Sequence, residues 1–333
     1  MHQPEVRCAL IGCGLIGAKR VATLQPGQLT IVCDKNAARA DRLIKTAGSG
    51  RAVTDVDEAI RHPEVDAIIV ATPNSYLAPI ASRGIRAGKH VLIEKPGAVS
   101  TSQITELLQL AEGSKSCVRV GYNHRYHPAM QKAHELIAAG AIGPLMFIRG
   151  RYGHGGRVGY EQEWRANRAI SGGGELIDQG VHLIDLASWF LGADFTSVQG
   201  HTRTYFWNMP VEDNAFLSLQ TAAGQTAWLH ASCTEWKNMF SFEIYGLTGK
   251  LHIDGLGGSY GSERLVFYQM LPEMGPPKTK TWDFFGQDTS WNDEMDEFLE
   301  DIRLLRTPVP GLKEAFNTLG IVEKLYAQSG CSG

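Results

Sequence analysis

The 333-residue chain has no C-x-x-C pair, no internal repeat, no low-complexity tract and no apolar run near the roughly 20 residues that span a bilayer. The cysteines are Cys8, Cys13, Cys33, Cys117, Cys233 and Cys331, and Cys8, Cys33 and Cys117 sit in apolar, strand-like runs. Buried free thiols are therefore the expected state, ahead of disulfides or metal ligands. The lack of a long apolar run excludes a membrane-spanning helix. There is also little excess of either charge: 32 basic and 35 acidic residues leave a net charge of -3, which gives no case for nucleic acid or an anionic membrane as partner. Met1 to Arg7 carries no apolar signal region, so a cytoplasmic protein is expected. Tryptophan is missing from the first 163 residues, all seven lying at or beyond Trp164. A chain of this length exceeds what one hydrophobic core supports, and the change of texture near Asn123 suggests two domains, 1–122 and 123–333.

The first half alternates short apolar runs with helical ones. Val6 to Ile11 reads as a buried strand, followed by Gly12-x-Gly14-x-x-Gly17 and a helix from Ala18. In such a loop the first glycine permits the turn, the second lets the backbone approach a diphosphate, and the third lets helix and strand pack closely. Gly12, Cys13, Gly14, Leu15, Ile16 and Gly17 thus form a candidate dinucleotide cradle. Leu29 to Cys33 makes a second strand that ends at Asp34, an acid placed to accept both ribose hydroxyls and repel a 2'-phosphate. NAD is favoured over NADP, with Lys35 the one neighbour that points the other way. Asp34 could also serve simply as a turn or cap residue. Ala67 to Ala71 is a third strand, ending in Thr72-Pro73-Asn74 at the carboxyl edge where ligands bind. A helix from Ile80 to Ala87, a strand from His90 to Glu94 leading to Lys95-Pro96, a helix from Thr101 to Glu112 and a strand from Cys117 to Val120 complete the rhythm. This order predicts a doubly wound parallel sheet.

The second half predicts an α+β domain with a large, mostly antiparallel, open-faced sheet. A helix is expected at Ala129 to Ala139. Long segments of period-two alternation run at Leu145–Tyr152, Thr196–Thr204, Asn214–Gln220, Thr226–Thr234, Ser241–Tyr245, Lys250–Asp254 and Arg264–Met270. The chain closes with helices at Trp291–Leu305 and Lys313–Gln328. An open amphipathic sheet needs a cover, and a second copy supplies one most simply, so a homodimer or homotetramer assembled through this sheet is expected.

Two distant segments carry the chemistry. One is Glu94-Lys95-Pro96; the other is Gly172-Gly173-Gly174-Glu175-Leu176-Ile177-Asp178-Gln179-Gly180-Val181-His182. Asp178 and His182 are four apart and would share one helix face. Oxidising a secondary alcohol removes a hydride from carbon and a proton from oxygen, and histidine as a residue type suits the proton transfer near neutrality. His182 is the expected general acid/base, Asp178 its orienting partner or a substrate contact, and Lys95 the group that holds the hydroxyl and steadies negative charge on oxygen. The bland alternatives are a satisfied core histidine and a solvated strand-end lysine. Tyr122, Asn123, Arg125, Trp164, Arg165 and Asn167 are candidate substrate contacts, since aromatic faces with amide and guanidinium donors suit a polyhydroxylated ring. Asp185 could be a structural ion pair or a substrate contact. His124, His127 and His154 match no zinc spacing, and no metal is expected.

These motifs in this order resemble the Gfo/Idh/MocA oxidoreductases, and the resemblance covers essentially the whole chain. It rests on the glycine loop, Ala71-Thr72-Pro73-Asn74, Ala87-Gly88-Lys89-His90-Val91-Leu92-Ile93-Glu94-Lys95-Pro96, Gly121-Tyr122-Asn123-x-Arg125-Tyr126-x-Pro128, and the Gly172–Asp185 run. The family often has histidine three residues after the T-P-N asparagine, where this chain has Leu77. The resemblance implies a Rossmann domain followed by an α/β domain whose open sheet mediates assembly. It implies further that Lys95, Asp178 and His182 meet at a nicotinamide ring, with Thr72, Pro73, Asn74, Glu94 and Asn123 on the cofactor side. The expected activity is an NAD-dependent hydride transfer with a secondary alcohol of a sugar, sugar nucleotide or cyclitol. Two other activities share the fold: a redox-neutral sugar enzyme that recycles NAD in its site, and a non-catalytic dinucleotide-binding regulator.

Overall fold

The computed structural model describes residues 6–330, so Met1 to Glu5 and Cys331, included in the readings above, lie outside it. Two compact units emerge. The first comprises the chain up to Tyr122 together with Trp291–Phe316; the second comprises Asn123–Ser290 and the residues from Asn317 onward. The segment 291–316, expected in the second domain, packs with the first unit.

The first unit holds six parallel strands: β1 (Cys8–Ile11), β2 (Leu29–Cys33), β3 (Arg51–Val53), β4 (Ala67–Val70), β5 (His90–Glu94) and β6 (Val118–Gly121). Their spatial order, β3-β2-β1-β4-β5-β6, is that of a doubly wound sheet. Val, Ile, Leu and Ala fill β1, β4 and β5 because both faces of such a sheet are covered. The connecting helices are α1 (Leu15–Val21), α2 (Ala37–Ala47), α3 (Val56–Arg61), α4 (Asn74–Arg86) and α5 (Thr101–Glu112). Two boundaries differ from expectation. Helix α1 begins at Leu15, inside the glycine fingerprint, rather than at Ala18. Helix α4 begins at Asn74 and runs through Pro79, rather than starting after it at Ile80. Pro79 lies in the second turn, where it forfeits one backbone bond, and the burial of Leu77, Ala78 and Ala81 offsets that loss.

The eight strands of the second unit are β7 (Leu145–Gly153), β8 (Phe195–Arg203), β9 (Asn214–Thr221), β10 (Thr226–Ser232), β11 (Met239–Gly246), β12 (Gly249–Asp254), β13 (Glu263–Gln269) and β14 (Lys278–Phe284). They lie in the order β14-β13-β12-β11-β7-β10-β9-β8, antiparallel except for the β7–β10 pair. Ile148, Leu217, Leu229, Phe240, Phe242, Ile244 and Leu251 are buried on one face, beneath helix α8 (Val181–Leu191) and near helix α6 (Pro128–Ala138). The opposite face carries Arg149 facing Glu243 and Trp228 across the strands, with Phe147 stacked on Tyr245 and Phe216 on His230. Trp228 is 64% exposed there. Two strands escaped the sequence reading: β3, which is only three residues long and starts with an exposed arginine, and β14, whose Lys-Thr-Lys-Thr start is polar on both faces at the sheet edge and leaves no alternation to detect.

Helix α9 (Ser290–Leu304) explains why the late segment belongs to the first unit. Its Met295 and Phe298 are fully buried against Cys8, Leu10, Val32, Ala67, Ile69 and Leu92, each contributing roughly 1.5–3 kcal/mol by burial. Charge adds specificity. Arg20 of α1 is wholly buried between Glu94 at the end of β5 and Glu294 of α9, at 2.6 Å from each carboxylate. The loss of water around Glu294 outweighs its attraction to Arg20 and pushes its carboxyl up to about 7. Arg119 of β6 pairs with Asp301 of α9 in the same way.

Replacing Arg20 by Met would leave two buried carboxylates without their cation. Unfolding in urea should show a loss of about 3–5 kcal/mol at pH 8. The orphaned carboxyls would take up protons, so the loss should shrink at pH 5. A pH-independent loss would mean the triad is not held by charge.

Candidate active site

The glycine loop of the first unit is shaped by two different pressures. Gly12 has φ +103°, and a Cβ there would lie 2.5 Å from the Ala71 carbonyl oxygen. A Cβ on Gly17 would sit 2.0 Å from the Gly12 carbonyl oxygen. Both glycines are demanded by packing. Gly14 is not: its φ is -78° and a Cβ there would meet nothing within 4 Å. The space beside Gly14 is what a diphosphate lying against the loop would need. Leu15 and Ile16 follow in the first turn of α1, Leu15 exposed and Ile16 half-buried, and no side chain caps that turn.

Asp34 takes one of the two roles weighed for it, that of a turn residue. One carboxylate oxygen accepts the Cys13 backbone N–H at 2.9 Å and the other accepts that of Asn36 at 2.8 Å. It therefore pins the glycine loop, and a carboxylate has acceptor sites to spare for ribose hydroxyls. Lys35 next to it is exposed. Burial, and then the Asp34 charge, push the Cys13 thiol up to about 12, so it stays protonated and unreactive. Pro73 precedes α4 and Asn74 opens it, buried; the buried Thr72 hydroxyl oxygen has no hydrogen-bond partner among the described residues. The donors and the open space at this edge fit a dinucleotide.

Glu94 is committed to Arg20, which donates through Nε to Glu94 Oε1 at 2.6 Å. That pairing places Glu94 in the support of the half-buried Lys95 that follows it. It also explains Gly121: a Cβ there would come within 2.6 Å of the Arg20 guanidinium. Tyr122, which ends the first unit, is fully buried.

In the second unit the triple glycine is a packing device. A Cβ on Gly173 would strike the Tyr326 hydroxyl at 1.9 Å, and one on Gly174 would strike the Glu212 carbonyl oxygen at 1.9 Å. This tight seat launches a π-helical turn, Leu176–Gly180, that runs directly into α8. The expected single α-helix is thus wound more loosely over Asp178, and such π turns recur at functional sites. Asp178 and His182, both buried, straddle the junction. Arg165 donates through Nε to Asp178 Oδ2 at 3.0 Å, and its guanidinium also lies over the Trp164 ring at 4.6 Å. His182 stacks on His124 with ring centroids 3.7 Å apart and planes 14° apart. Sequence reasoning weighed His124 only as a metal ligand and missed this stack, which no local spacing signals.

Other expected contacts have structural partners. Arg125 grips Asp185 with two hydrogen bonds, of 2.8 Å from Nε and 2.6 Å from Nη2, all buried. Asn123 donates to Ser290 Oγ at 3.0 Å. Asn167 is exposed and caps the short helix α7 (Arg168–Ser171), its Oδ1 accepting from the Ala169 N–H at 3.1 Å. His127 contacts Glu263 at 3.0 Å, and Glu263 also accepts the Ala129 N–H at the start of α6. Among the described residues no cluster of three or more His, Cys, Asp or Glu is arranged to hold a metal ion, and no helix is long and apolar enough to cross a membrane.

Comparison with known proteins identifies the family. Residues 6–122 match the model of an oxidoreductase family with an NAD-binding Rossmann fold, and residues 130–252 match the GFO/IDH/MocA C-terminal domain. The scyllo-inositol 2-dehydrogenase (NAD(+)) of Bacillus subtilis (strain 168) is 29% identical over 263 residues, covering 76% of this chain and 75% of that protein. The 1,5-anhydro-D-fructose reductase of Ensifer adhaerens is 30% identical, covering 72% of this chain and 74% of its own length. Among solved structures, levoglucosan dehydrogenase in complex with NADH and levoglucosan superposes with a TM-score of 0.89 over 98% of both chains at 20% identity, a likeness of fold. The chain therefore belongs to the GFO/IDH/MocA oxidoreductases, a family of NAD-binding enzymes whose relatives are named for work on sugars and cyclitols.

Proposed function

We propose that the protein is an NAD-dependent dehydrogenase acting on a secondary alcohol of a sugar, sugar nucleotide or cyclitol. The observation that carries this reading is the buried Asp178–His182 pair at the π-to-α junction, with Asp178 tied to the loop that bears Trp164 and Arg165. A buried acid and histidine beside an aromatic and a guanidinium suit a polyhydroxylated ring and a proton transfer. The relatives' names support the substrate class.

In this reading the cofactor supplies the hydride acceptor, and Asp34 favours NAD by lying where a 2'-phosphate would meet a carboxylate. His182 accepts the hydroxyl proton as the alcohol is oxidised and returns it in the reverse direction. Its face-to-face stack on His124 fixes the ring plane. Asp178, held by Arg165, orients the imidazole or the substrate. Lys95 holds the hydroxyl oxygen and stabilises negative charge as the proton leaves. Tyr122, Trp164 and Arg165 shape the substrate's surroundings. The open face of the eight-stranded sheet, with Trp228 exposed among aromatic neighbours, is in the same reading the surface through which copies of the chain assemble.

Purified protein incubated with NAD and a panel of sugars, inositols and nucleotide sugars should produce NADH with one of them. Absence of NADH with every member, together with no consumption of any, would sink the proposal. His182→Ala should lower turnover by roughly 10²–10⁴-fold with NAD affinity unchanged in a calorimetric titration; retained activity would remove His182 from its role. Gly14→Val should fold normally, because the protein leaves its side chain room, yet bind NAD at least about tenfold more weakly. Wild-type affinity in that variant would show that the diphosphate lies elsewhere.

A further inference from the structure

Glu175 stands one turn before Asp178 and is only 1% exposed. Its Oε1 accepts a hydrogen bond from the Tyr160 hydroxyl at 3.0 Å and lies 3.6 Å from His154 Nε2. The Nδ1 of His154 accepts the Gly156 N–H at 2.9 Å, so a neutral His154 carries its proton on Nε2, the nitrogen nearest Glu175. The Cys233 thiol, after β10, is a further hydrogen-bonding neighbour. The charges that bear on Glu175 most are of its own sign: Asp178 on the same turn and Glu212 before β9. Tyr152 of β7 and Tyr260, between β12 and β13, also feel the Glu175 charge. Glu175 is thus surrounded by hydrogen-bonding groups and two further acids, while the guanidinium of Arg165 is engaged by Asp178.

These contacts reach one segment. Residues 154–167 include His154 and Tyr160, which meet Glu175, and Arg165, which meets Asp178. The same segment bears Trp164 and Arg165, proposed above to meet the substrate. Two acids a turn apart therefore pin one loop by different means, Asp178 with a cation and Glu175 with a hydroxyl.

We propose that Glu175 is a positioning residue that works as an uncharged acid, holding the substrate loop through Tyr160 while sparing Asp178 a second negative charge beside it. An ionised Glu175 would be a buried carboxylate among like charges, which is costly. Desolvation first, and then repulsion from Asp178, push its carboxyl up to about 8, in keeping with the geometry.

The test uses the full chain and has one arm that needs no substrate. The folded protein keeps the Glu175 proton that the unfolded chain releases in the ordinary carboxylate range. Wild-type stability should therefore fall as the pH rises from about 5 to about 8. Glu175→Gln abolishes that dependence, so the Tm of the variant relative to wild type should climb across this window. The other raised groups are common to both proteins and cancel in the difference. A Tm difference that is flat with pH, or that falls, overturns the uncharged state.

The kinetic arm rests on the dehydrogenase reading, and its failure leaves the Tm result standing. Glu175→Ala should raise KM several-fold with kcat changed less than about twofold, because Tyr160 loses its acceptor. Glu175→Gln should restore the wild-type KM and abolish the fall in kcat/KM expected of wild type above about pH 8. An unchanged KM in the alanine variant overturns the hold on the loop. An alkaline limb that persists in the glutamine variant overturns the proposed effect on Asp178.

Discussion

The guanidinium of Arg20 has no contact with solvent and lies between the carboxylates of Glu94 and Glu294. Much of the first unit depends on that arrangement. A buried cation binds its partners firmly only when each is close and well oriented, because the cost of removing water is otherwise not recovered. The triad fixes the end of β5, and so the peptide that leads to Lys95. It fixes the register of α9, whose Met295 and Phe298 close the core over the parallel sheet. It also forbids a side chain at position 121. The same device recurs in the second unit, where Arg125 holds Asp185 and Arg165 holds Asp178. In each place an arginine from one element fixes an acid on another, and the functional segment is carried between them.

Glycine works in two opposed ways beside these pairs. Gly12, Gly17, Gly173 and Gly174 are squeezed, since a Cβ at any of them would fall within 2.5 Å of another atom of the chain. They bring a helix onto a strand, and a π turn onto Glu212 and Tyr326. Gly14 is the reverse case, a glycine with ordinary backbone angles and empty surroundings. Packing does not account for it, and in the proposed function that space takes the diphosphate of the cofactor. A glycine motif read from sequence cannot separate these roles, and the distances can.

The sequence reveals most where the pattern is local. Ala67 to Val70 and the Val91–Ile93 centre of β5 are apolar throughout, so the parallel sheet can be read directly, and so can the alternation of β9 to β12. It fails where the cause is distant. The allegiance of 291–316 follows from Glu294 meeting Arg20 and Asp301 meeting Arg119, residues 182 positions apart in the latter case. The π turn follows from the tight seat at Gly173 and Gly174, and i,i+4 spacing cannot announce it. Glu175 drew no reading of its own because Tyr160 and His154, its partners, lie in a loop with no periodicity.

Those partners bear on how the second unit carries its charge. Glu175, Asp178 and Glu212 form a buried group of three acids, and of these Asp178 has a guanidinium at hydrogen-bond distance. Glu212 instead accepts from the Tyr326 hydroxyl at 2.7 Å and from the Leu176 N–H at 3.1 Å, and burial raises its affinity for a proton as well. Three ionised acids in this volume would repel one another at low dielectric and destabilise the turn that holds them. Burial raises the proton affinity of both neighbours, and Asp178, backed by Arg165, is the acid of the three whose charge is compensated. Asp178 shares its turn with Glu175 alone, and the fold, by bringing Glu212 and Arg165 to that turn, decides which of the three can be ionised at least cost.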